Sequence, residues 1–116
     1  MIASERIAIA ALVLGALLLP SVAHADDQAL AQSLFDEAKR LVAEKNFAKA
    51  CPKLAESQRL DPSGGTLLHL GICHASEGKT ASAYAELNEA ISVARRDGRS
   101  DRVAVAKAHL AALAPK

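Results

Sequence analysis

The segment Leu34–Thr66, with the sequence LFDEAKRLVAEKNFAKACPKLAESQRLDPSGGT, is followed over Leu67–Ile91 by LLHLGICHASEGKTASAYAELNEAI. The second segment repeats the pattern of the first. A shift of about 33 residues places Leu34 on Leu67, Ala38 on Gly71, Ala50 on Ala83, Leu54 on Leu87, Glu56 on Glu89 and Ser57 on Ala90. A period in the low thirties is typical of a supersecondary unit that stacks on its neighbours. The abundance of Ala, Leu, Glu, Lys and Arg predicts that this unit is helical, so we expect an all-α chain.

The N-terminal segment Met1–Ala25 has the organisation of a secretory signal. Arg6 precedes an apolar run, Ile7–Leu19, and Ala23-His24-Ala25 supplies a small-x-small cleavage motif. We predict cleavage after Ala25, which leaves Asp26 as the first residue of an exported chain, periplasmic or secreted. An uncleaved anchor is the alternative, but the apolar run is shorter than the ~20 residues that a membrane span requires. No stable membrane span is therefore expected after cleavage.

Charge and aromatic content exclude several function classes. The chain has 14 Lys and Arg against 13 Asp and Glu, a net charge of +1, and aromatic residues make up 3%. A nucleic-acid-binding domain would show clustered basic residues, so no nucleic-acid partner is expected. The segment Asp61–Gly65 is not a phosphate-binding loop, because no strand precedes it and no Lys-Ser/Thr pair ends it. No catalytic constellation is visible, so we predict a protein that is not an enzyme and takes no cofactor.

Apolar periodicity and turn residues predict five helices. The first starts at Asp26 or Asp27 and ends near Lys45-Asn46, the second uses Asn46 as N-cap, and Asp61-Pro62-Ser63-Gly64-Gly65 makes a tight reversal. The third spans Thr66 to Glu77, the fourth is capped by Thr80 and stopped by Gly98, and the fifth is capped by Ser100 or Asp101 and ends before Pro115. Pro52 leaves two alternatives open: the second helix kinks there, or it begins in earnest at Cys51.

These residues resemble the tetratricopeptide repeat (TPR) family. The positions that match the family pattern are Leu34, Ala38, Phe47, Ala50, Leu54 and Asp61-Pro62 in the first repeat, and Leu67, Leu70-Gly71, Gly78, Ala83, Leu87 and Ala90 in the second. Glu37, His74 and Thr80 depart from the family's usual apolar and aromatic residues. An ankyrin-like repeat is the alternative fold, suggested by Thr66-Leu67-Leu68-His69-Leu70. However, its characteristic proline is absent, and ankyrin helices are shorter than Leu30–Lys45.

The resemblance implies antiparallel helix pairs stacked as a short TPR-like α-solenoid. Residues 1–25 would be the signal peptide, 26–98 two TPR-like helical hairpins, and 99–116 a capping helix and tail. In this family the first helices of the repeats line a groove that binds a protein or peptide. Carried over by position, the groove would contain Phe35, Lys39, Val42, Leu68, Ile72 and Ser76. The resemblance thus implies an exported scaffold for a protein or peptide partner in the cell envelope.

Cys51 and Cys73 are the only cysteines. The repeat arrangement places them on neighbouring helices, and an exported chain meets an oxidising compartment, so we predict a disulfide between them. Two small buried thiols are the other interpretation. The alternative function is a small thiol, redox or metal-binding protein that uses Cys73 with His69 or His74. We predict no metal site, because no third or fourth ligand for zinc is suitably spaced.

Overall fold

The computed structural model describes residues 20–114, which form five α-helices and no β-strand. The helices are α1 (Pro20–Ala43), α2 (Phe47–Leu60), α3 (Gly64–Ser76), α4 (Thr80–Arg96) and α5 (Ser100–Leu113). The expected all-α class is therefore confirmed. No helix within residues 20–114 is long and apolar enough to cross a membrane.

Three turns of the same kind connect α1 to α2, α3 to α4 and α4 to α5. Each has one residue with positive φ: Lys45 at 58°, Gly78 at 76° and Gly98 at 67°. The amide of the following residue donates to a carbonyl five positions earlier, in the pairs Asn46–Leu41, Lys79–His74 and Arg99–Ala94, at 2.8–2.9 Å. This is the Schellman ending of an α-helix. It confirms the predicted stop at Gly98, and the first two turns are 33 positions apart in the sequence.

The helix starts correct several predictions. Asp26 and Asp27 are not the cap of α1, because the helix already includes Pro20, and its alanine-rich first half favours that continuation. Thr80 and Ser100 are the first residues of their helices, since the Schellman turns make Lys79 and Arg99 the N-caps. Asn46 is the N-cap of α2, as predicted, although its side chain donates or accepts no capping bond.

The connection from α2 to α3 also differs from the prediction. Gly64 and Gly65 belong to the first turn of α3 and make no reversal. Ser63 is the N-cap instead, and its hydroxyl accepts a hydrogen bond from the amide of Thr66 at 3.1 Å. A serine side chain satisfies a free amide of the first turn, so the helix begins directly after the serine and includes both glycines.

Pro52 lies inside α2, which begins at Phe47 and continues to Leu60. The alternative in which the helix begins at Cys51 is therefore wrong. Proline has no amide hydrogen, so the carbonyl of Ala48 receives no bond from the residue four positions on. The ring is on the exposed side of the helix, where water can reach that carbonyl.

A hydrogen bond and an ion pair show that α1 and α2 run antiparallel. In the first pair, the hydroxyl of Ser57 on α2 donates to the carbonyl of Ala31 on α1 at 2.7 Å. Nearer the turn, Lys53 Nζ lies 3.4 Å from Glu37 Oε2. Helix α3 packs on α2 and α4, and α5 packs on both α4 and α3.

Two clusters of buried side chains form the core. The first joins α1, α2 and α3 and contains Ala38, Leu41, Ala50, Cys51, Leu54, Leu70 and Cys73. The second joins α3, α4 and α5 and contains Leu67, Leu68, Leu87, Ala90, Ile91 and Ala106. Small residues allow close helix contact. A Cβ at Gly71 would lie 2.9 Å from Leu87 Cγ, so only glycine fits where α3 crosses α4.

The predicted signal segment is only partly described. Its apolar run, Ile7–Leu19, lies outside the described residues. The motif Ala23-His24-Ala25 and Asp26 lie within α1. Cleavage after Ala25 stays a prediction, and it would shorten α1 to Asp26–Ala43 without removing any residue of the two core clusters.

Candidate functional site

A groove crosses the face that α1, α3 and α5 share. Its volume is about 340 Å³, and its lining consists of Phe35, Gly65, Leu68, His69, Ile72, Arg99, Asp101, Arg102 and Val105. A second depression of about 270 Å³ adjoins it and shares Phe35, Gly65 and Arg102 with it. We refer to the larger depression as the α1–α3–α5 groove. Its lining combines apolar side chains with the charged residues Arg99, Asp101 and Arg102.

Phe35 and His69 meet where α1 faces α3. Their rings lie edge to face, with centroids 5.0 Å apart and planes at 88°. Lys39 is one turn further along α1, and its Nζ lies 5.1 Å from the centroid of the Phe35 ring. Edge-to-face and cation–π contacts of this kind fix ring orientation and hold the ammonium near the groove.

Arg102 lies against the first turn of α3. Its Nη2 is 3.0 Å and its Cζ 3.3 Å from the position that a Cβ on Gly65 would occupy. Any larger residue at position 65 would therefore push the guanidinium away. The missing side chain of Gly65 gives Arg102 its place between the two depressions, and this explains the second glycine of the pair.

The imidazole of His69 responds to these cations. Burial lowers its pKa below the ordinary value of 6.5, and the charges of Lys39 and then Arg102 lower it further. His69 is consequently neutral at pH 7 and can accept or donate a hydrogen bond without adding charge.

Arg99 and Asp101, which also line the groove, neutralise each other. The Arg99 guanidinium donates two hydrogen bonds to Asp101, at 3.0 and 2.9 Å. Hydrogen bonding to Arg99 is the main cause that lowers the pKa of Asp101 to about 2. By contrast, Lys39 and Arg102 have no carboxylate partner within 4.0 Å among the described residues. The groove therefore offers two cations that are free to meet an anionic ligand.

The six residues predicted for a groove fall into three groups. The first group, Phe35, Leu68 and Ile72, lines the α1–α3–α5 groove. Lys39 is outside the lining, but its Nζ lies over the Phe35 ring. Leu68 is only 7% exposed, however, and its side chain belongs mainly to the second core cluster. Val42 packs on the first cluster, and Ser76 is exposed with its hydroxyl donating to the Ile72 carbonyl.

Sequence reasoning missed His69, Arg102 and Val105 as groove residues. His69 was considered only as a partner of Cys73, and α5 was considered only as a cap. The signal that could have found Arg102 is the Gly64-Gly65 pair, which leaves a gap on α3 that needs a long side chain to fill it. The gap and the side chain are 37 positions apart, and no local pattern connects them.

Cys51 on α2 and Cys73 on α3 form the predicted disulfide, with Cα atoms 5.7 Å apart. Both residues are 1% exposed, and neither sulfur is a free thiol. The bridge joins the two helix pairs. In this state Cys73 has no thiolate that could act as a nucleophile, and His69 lies at the groove with Phe35 instead of beside the sulfur.

A polar cluster lies beside the bridge. His74 Nδ1 is 2.8 Å from both carboxylate oxygens of Glu86 on α4. Ligand-type atoms of Cys51, His74 and Glu77 all lie within 4.8 Å of one another. One oxygen of Glu77, Oε1, is buried and forms no hydrogen bond, although Lys79 Nζ is 3.4 Å from it as an ion pair. The sequence suggests His74 as a partner of Cys73, whereas Glu77, Glu86 and Cys51 are its neighbours in the structure.

Comparison of the chain with protein-family models, with curated proteins and with solved structures gave no match in any of the three cases.

Proposed function

We propose that this protein is an exported TPR-like scaffold that binds a protein or peptide and catalyses no reaction. The observation that carries the proposal is the α1–α3–α5 groove, where Phe35 and Arg102 are both in the lining and Lys39 Nζ lies 5.1 Å from the centroid of the Phe35 ring. A groove with apolar walls and a few convergent polar groups is the usual form of a binding site. Phe35 is the anchor, because aromatic side chains dominate the energetics of protein contacts.

The periodic geometry of the chain supports the TPR-like part of this proposal. The turns at Lys45 and Gly78 have the same hydrogen bonds 33 positions apart, and Gly71 lies at the contact of α3 with Leu87. Residues 26–98 would then be two stacked hairpins and residues 99–116 the capping helix and tail. On this arrangement α1 and α3 are the first helices of the two repeats, and they line the groove together.

The charges of the groove favour an acidic partner. Lys39 and Arg102 have no ion-pair partner among residues 20–114, whereas Arg99 is neutralised by Asp101. A segment with Asp or Glu next to an apolar residue would supply both complementary charge and a side chain for the Phe35 wall. The carboxylate clamp of the TPR family uses Asn together with Lys or Arg. Asn46 and Asn88 lie outside the groove lining, so the binding mode is a different one.

Export is proposed from the predicted signal segment and from the bridge. Disulfides persist in oxidising compartments, such as the periplasm or the exterior of the cell. The intact mass of the protein from the envelope fraction tests this directly. A chain that starts at Asp26 supports export, and a chain that retains Met1 in a membrane pellet contradicts it.

A displayed library of random peptides tests the binding function. Peptides retained by the wild-type protein should be enriched in Asp or Glu beside an apolar residue. Fluorescence anisotropy of one selected peptide should show a loss of at least tenfold in affinity for both Phe35→Ala and Arg102→Gln, which corresponds to about 1.4 kcal/mol or more.

The matched control is Arg95→Gln, since Arg95 is an exposed arginine on α4 outside the groove. Its affinity for the same peptide should stay within twofold of wild type. Binding should also weaken as salt is added, because the two cations are at the surface. A library without acidic enrichment, or a peptide that binds Arg102→Gln as well as wild type, would refute the proposed site.

A further inference from the structure

Helices α2 and α3 bring three possible metal ligands together beside the Cys51–Cys73 bridge. Cys51 comes from the middle of α2, His74 from the last turn of α3, and Glu77 is the C-cap residue of α3. Their sulfur, nitrogen and oxygen atoms lie within 4.8 Å of one another. Ligands around a tetrahedral zinc ion are about 3.3–3.8 Å apart, given its bond lengths of about 2.0–2.3 Å. Shifts of about 1 Å would close the set around one ion.

We propose that opening the disulfide creates a zinc site made of Cys51, His74 and Glu77. Thiolate, imidazole and carboxylate are the three ligand types that proteins use for zinc, and water would complete a four-coordinate site. The site is independent of the α1–α3–α5 groove. Its ligands come from α2 and α3, the same two helices that the bridge joins. Zinc therefore replaces the disulfide as the connection between them.

The neighbours of His74 and Glu77 are those that a metal site requires. His74 Nδ1 faces the Glu86 carboxylate at 2.8 Å, so a proton on Nδ1 leaves Nε2 with its lone pair available for the metal. A carboxylate that accepts the other ring N–H is the usual support of a metal-binding histidine. Glu77 Oε1 is buried and accepts no hydrogen bond, and a bound metal ion would take the place of the exposed Lys79 ammonium, whose Nζ lies 3.4 Å from it.

Disulfide reduction is the step that makes the sulfur available. A dithiol reductant gives up two electrons and two protons and becomes a disulfide, while the S–S bond of the protein breaks to give two thiols. Zinc then displaces the proton from Cys51, because the thiolate is the form that binds metal. Cys73 keeps its thiol proton and is not a ligand in this proposal, because it is outside the set of ligand-type atoms that lie within 4.8 Å of one another.

Two single variants separate this site from simple loss of the bridge. Cys73→Ser and Cys51→Ser both lack the disulfide and both keep one cysteine, but only Cys73→Ser keeps the proposed ligand. With Zn²⁺ as the probe, competition against a chromogenic chelator should show one equivalent bound by Cys73→Ser. Its affinity should exceed that of Cys51→Ser by at least tenfold, and the oxidised wild-type protein should bind no more tightly than Cys51→Ser. With Co²⁺ as the probe, only Cys73→Ser should show thiolate-to-metal absorption.

Further variants in the Cys73→Ser background identify the other ligands. His74→Ala and Glu77→Gln should each reduce zinc affinity at least tenfold, and Glu86→Gln should reduce it about 10–100-fold as a supporting residue. His69→Ala is the control, because His69 lies at the groove, and it should leave the affinity unchanged.

Folding cannot obscure the outcome, because circular dichroism is recorded with and without zinc. A Cys73→Ser chain that gains helix only when Zn²⁺ is added supports the site, since binding then drives folding. Reduced wild-type protein provides an independent measurement, in which zinc should slow the re-formation of the bridge. Equal zinc affinity of Cys73→Ser and Cys51→Ser, with no zinc effect on reoxidation of the wild type, would overturn the proposal.

Discussion

The helix pairs α1–α2 and α3–α4 both consist of two packed helices joined by the same type of turn, but their side chains differ. At the turn, the left-handed position is Lys45 in the first pair and Gly78 in the second. Across the pair, Lys53 meets Glu37 at 3.4 Å in the first, and Glu86, at the position equivalent to Lys53, meets His74 at 2.8 Å in the second. The two pairs therefore have their backbone turns and small residues in common. The polar contacts that connect their helices differ in residue type.

The residues with specific chemical roles in these two pairs lie mainly on α3. That helix carries His69 in the groove, Cys73 in the bridge and His74 beside Glu86. The residues 33 positions earlier on α1 are Asp36, Arg40 and Leu41, which have none of these roles. Helix α3 also packs against α2, α4 and α5. A central helix with three neighbours can position its side chains more rigidly than α1, which explains why the special residues are found there.

The largest expected effect is loss of the bridge between the two pairs. The variant Cys51→Ala/Cys73→Ala should lower the free energy of unfolding by about 3 kcal/mol, because the bridge closes a loop of 22 residues and restricts the unfolded chain. For a domain of this size, that loss corresponds to a fall in melting temperature of about 12–24 °C. Thermal denaturation in the presence of a metal chelator measures it.

The single variant Cys51→Ala is the matched control, since breaking either end opens the same loop and should give nearly the same loss. A melting temperature of the double variant within 3 °C of wild type, a margin of well under about 1 kcal/mol, would contradict the prediction. It would mean that packing of α2 on α3 is sufficient to join the two pairs.

Exchanging the turn residues tests whether the two turns are equivalent, and the expected change in stability is smaller. Lys45→Gly should stabilise the protein by about 0.5–1 kcal/mol, since a side chain in the left-handed region costs more than the entropy that glycine adds to the unfolded state. Gly78→Lys should destabilise it by a similar amount. Nothing lies within 4 Å of a Cβ at Gly78, so the cost there is conformational only. Urea denaturation gives both values.

Gly98→Lys serves as the control for the turn exchange, because that turn has the same conformation and equally open surroundings. It should match Gly78→Lys. If Lys45→Gly destabilises the protein, then the Lys45 side chain makes a contribution of its own, and the two turns are not equivalent.

The sequence predicted the parts of the fold that depend on neighbours along the chain. Five helices, the stop at Gly98 and the bridge all follow from periodicity, turn residues or cysteine count. The helix starts at Thr80 and Ser100 were wrong by one position, because the residue that closes each Schellman turn, Lys79 or Arg99, is itself the N-cap of the next helix. Arg102 above Gly65 and Glu86 beside His74 could not be predicted. Each pair brings together residues from different helices, and which surfaces meet is decided by packing.

The smallest effect is expected at the groove face, where Lys39 of α1 and His69 of α3 both lie near the Phe35 ring. The folded protein lowers the pKa of His69 below 6.5, first by burial and then through Lys39 and Arg102. The unfolded chain therefore binds a proton on His69 more readily than the folded chain does. The stability that depends on neutral His69 is fully present above about pH 6.5, and it is lost as the pH falls through the lowered pKa.

His69→Gln removes this titration while keeping a neutral polar side chain. Between pH 7.5 and pH 5, its urea midpoint should fall less than that of wild type. The other histidines are common to both proteins, so the comparison isolates His69. Lys39→Gln is the second test: without its charge, protonated His69 is less unfavourable, and the acid-dependent loss of stability should become smaller. Parallel pH profiles for all three proteins would show that the cations of α1 and α5 do not act on His69, and the groove would then lack the convergent positive charge on which acidic ligand recognition depends.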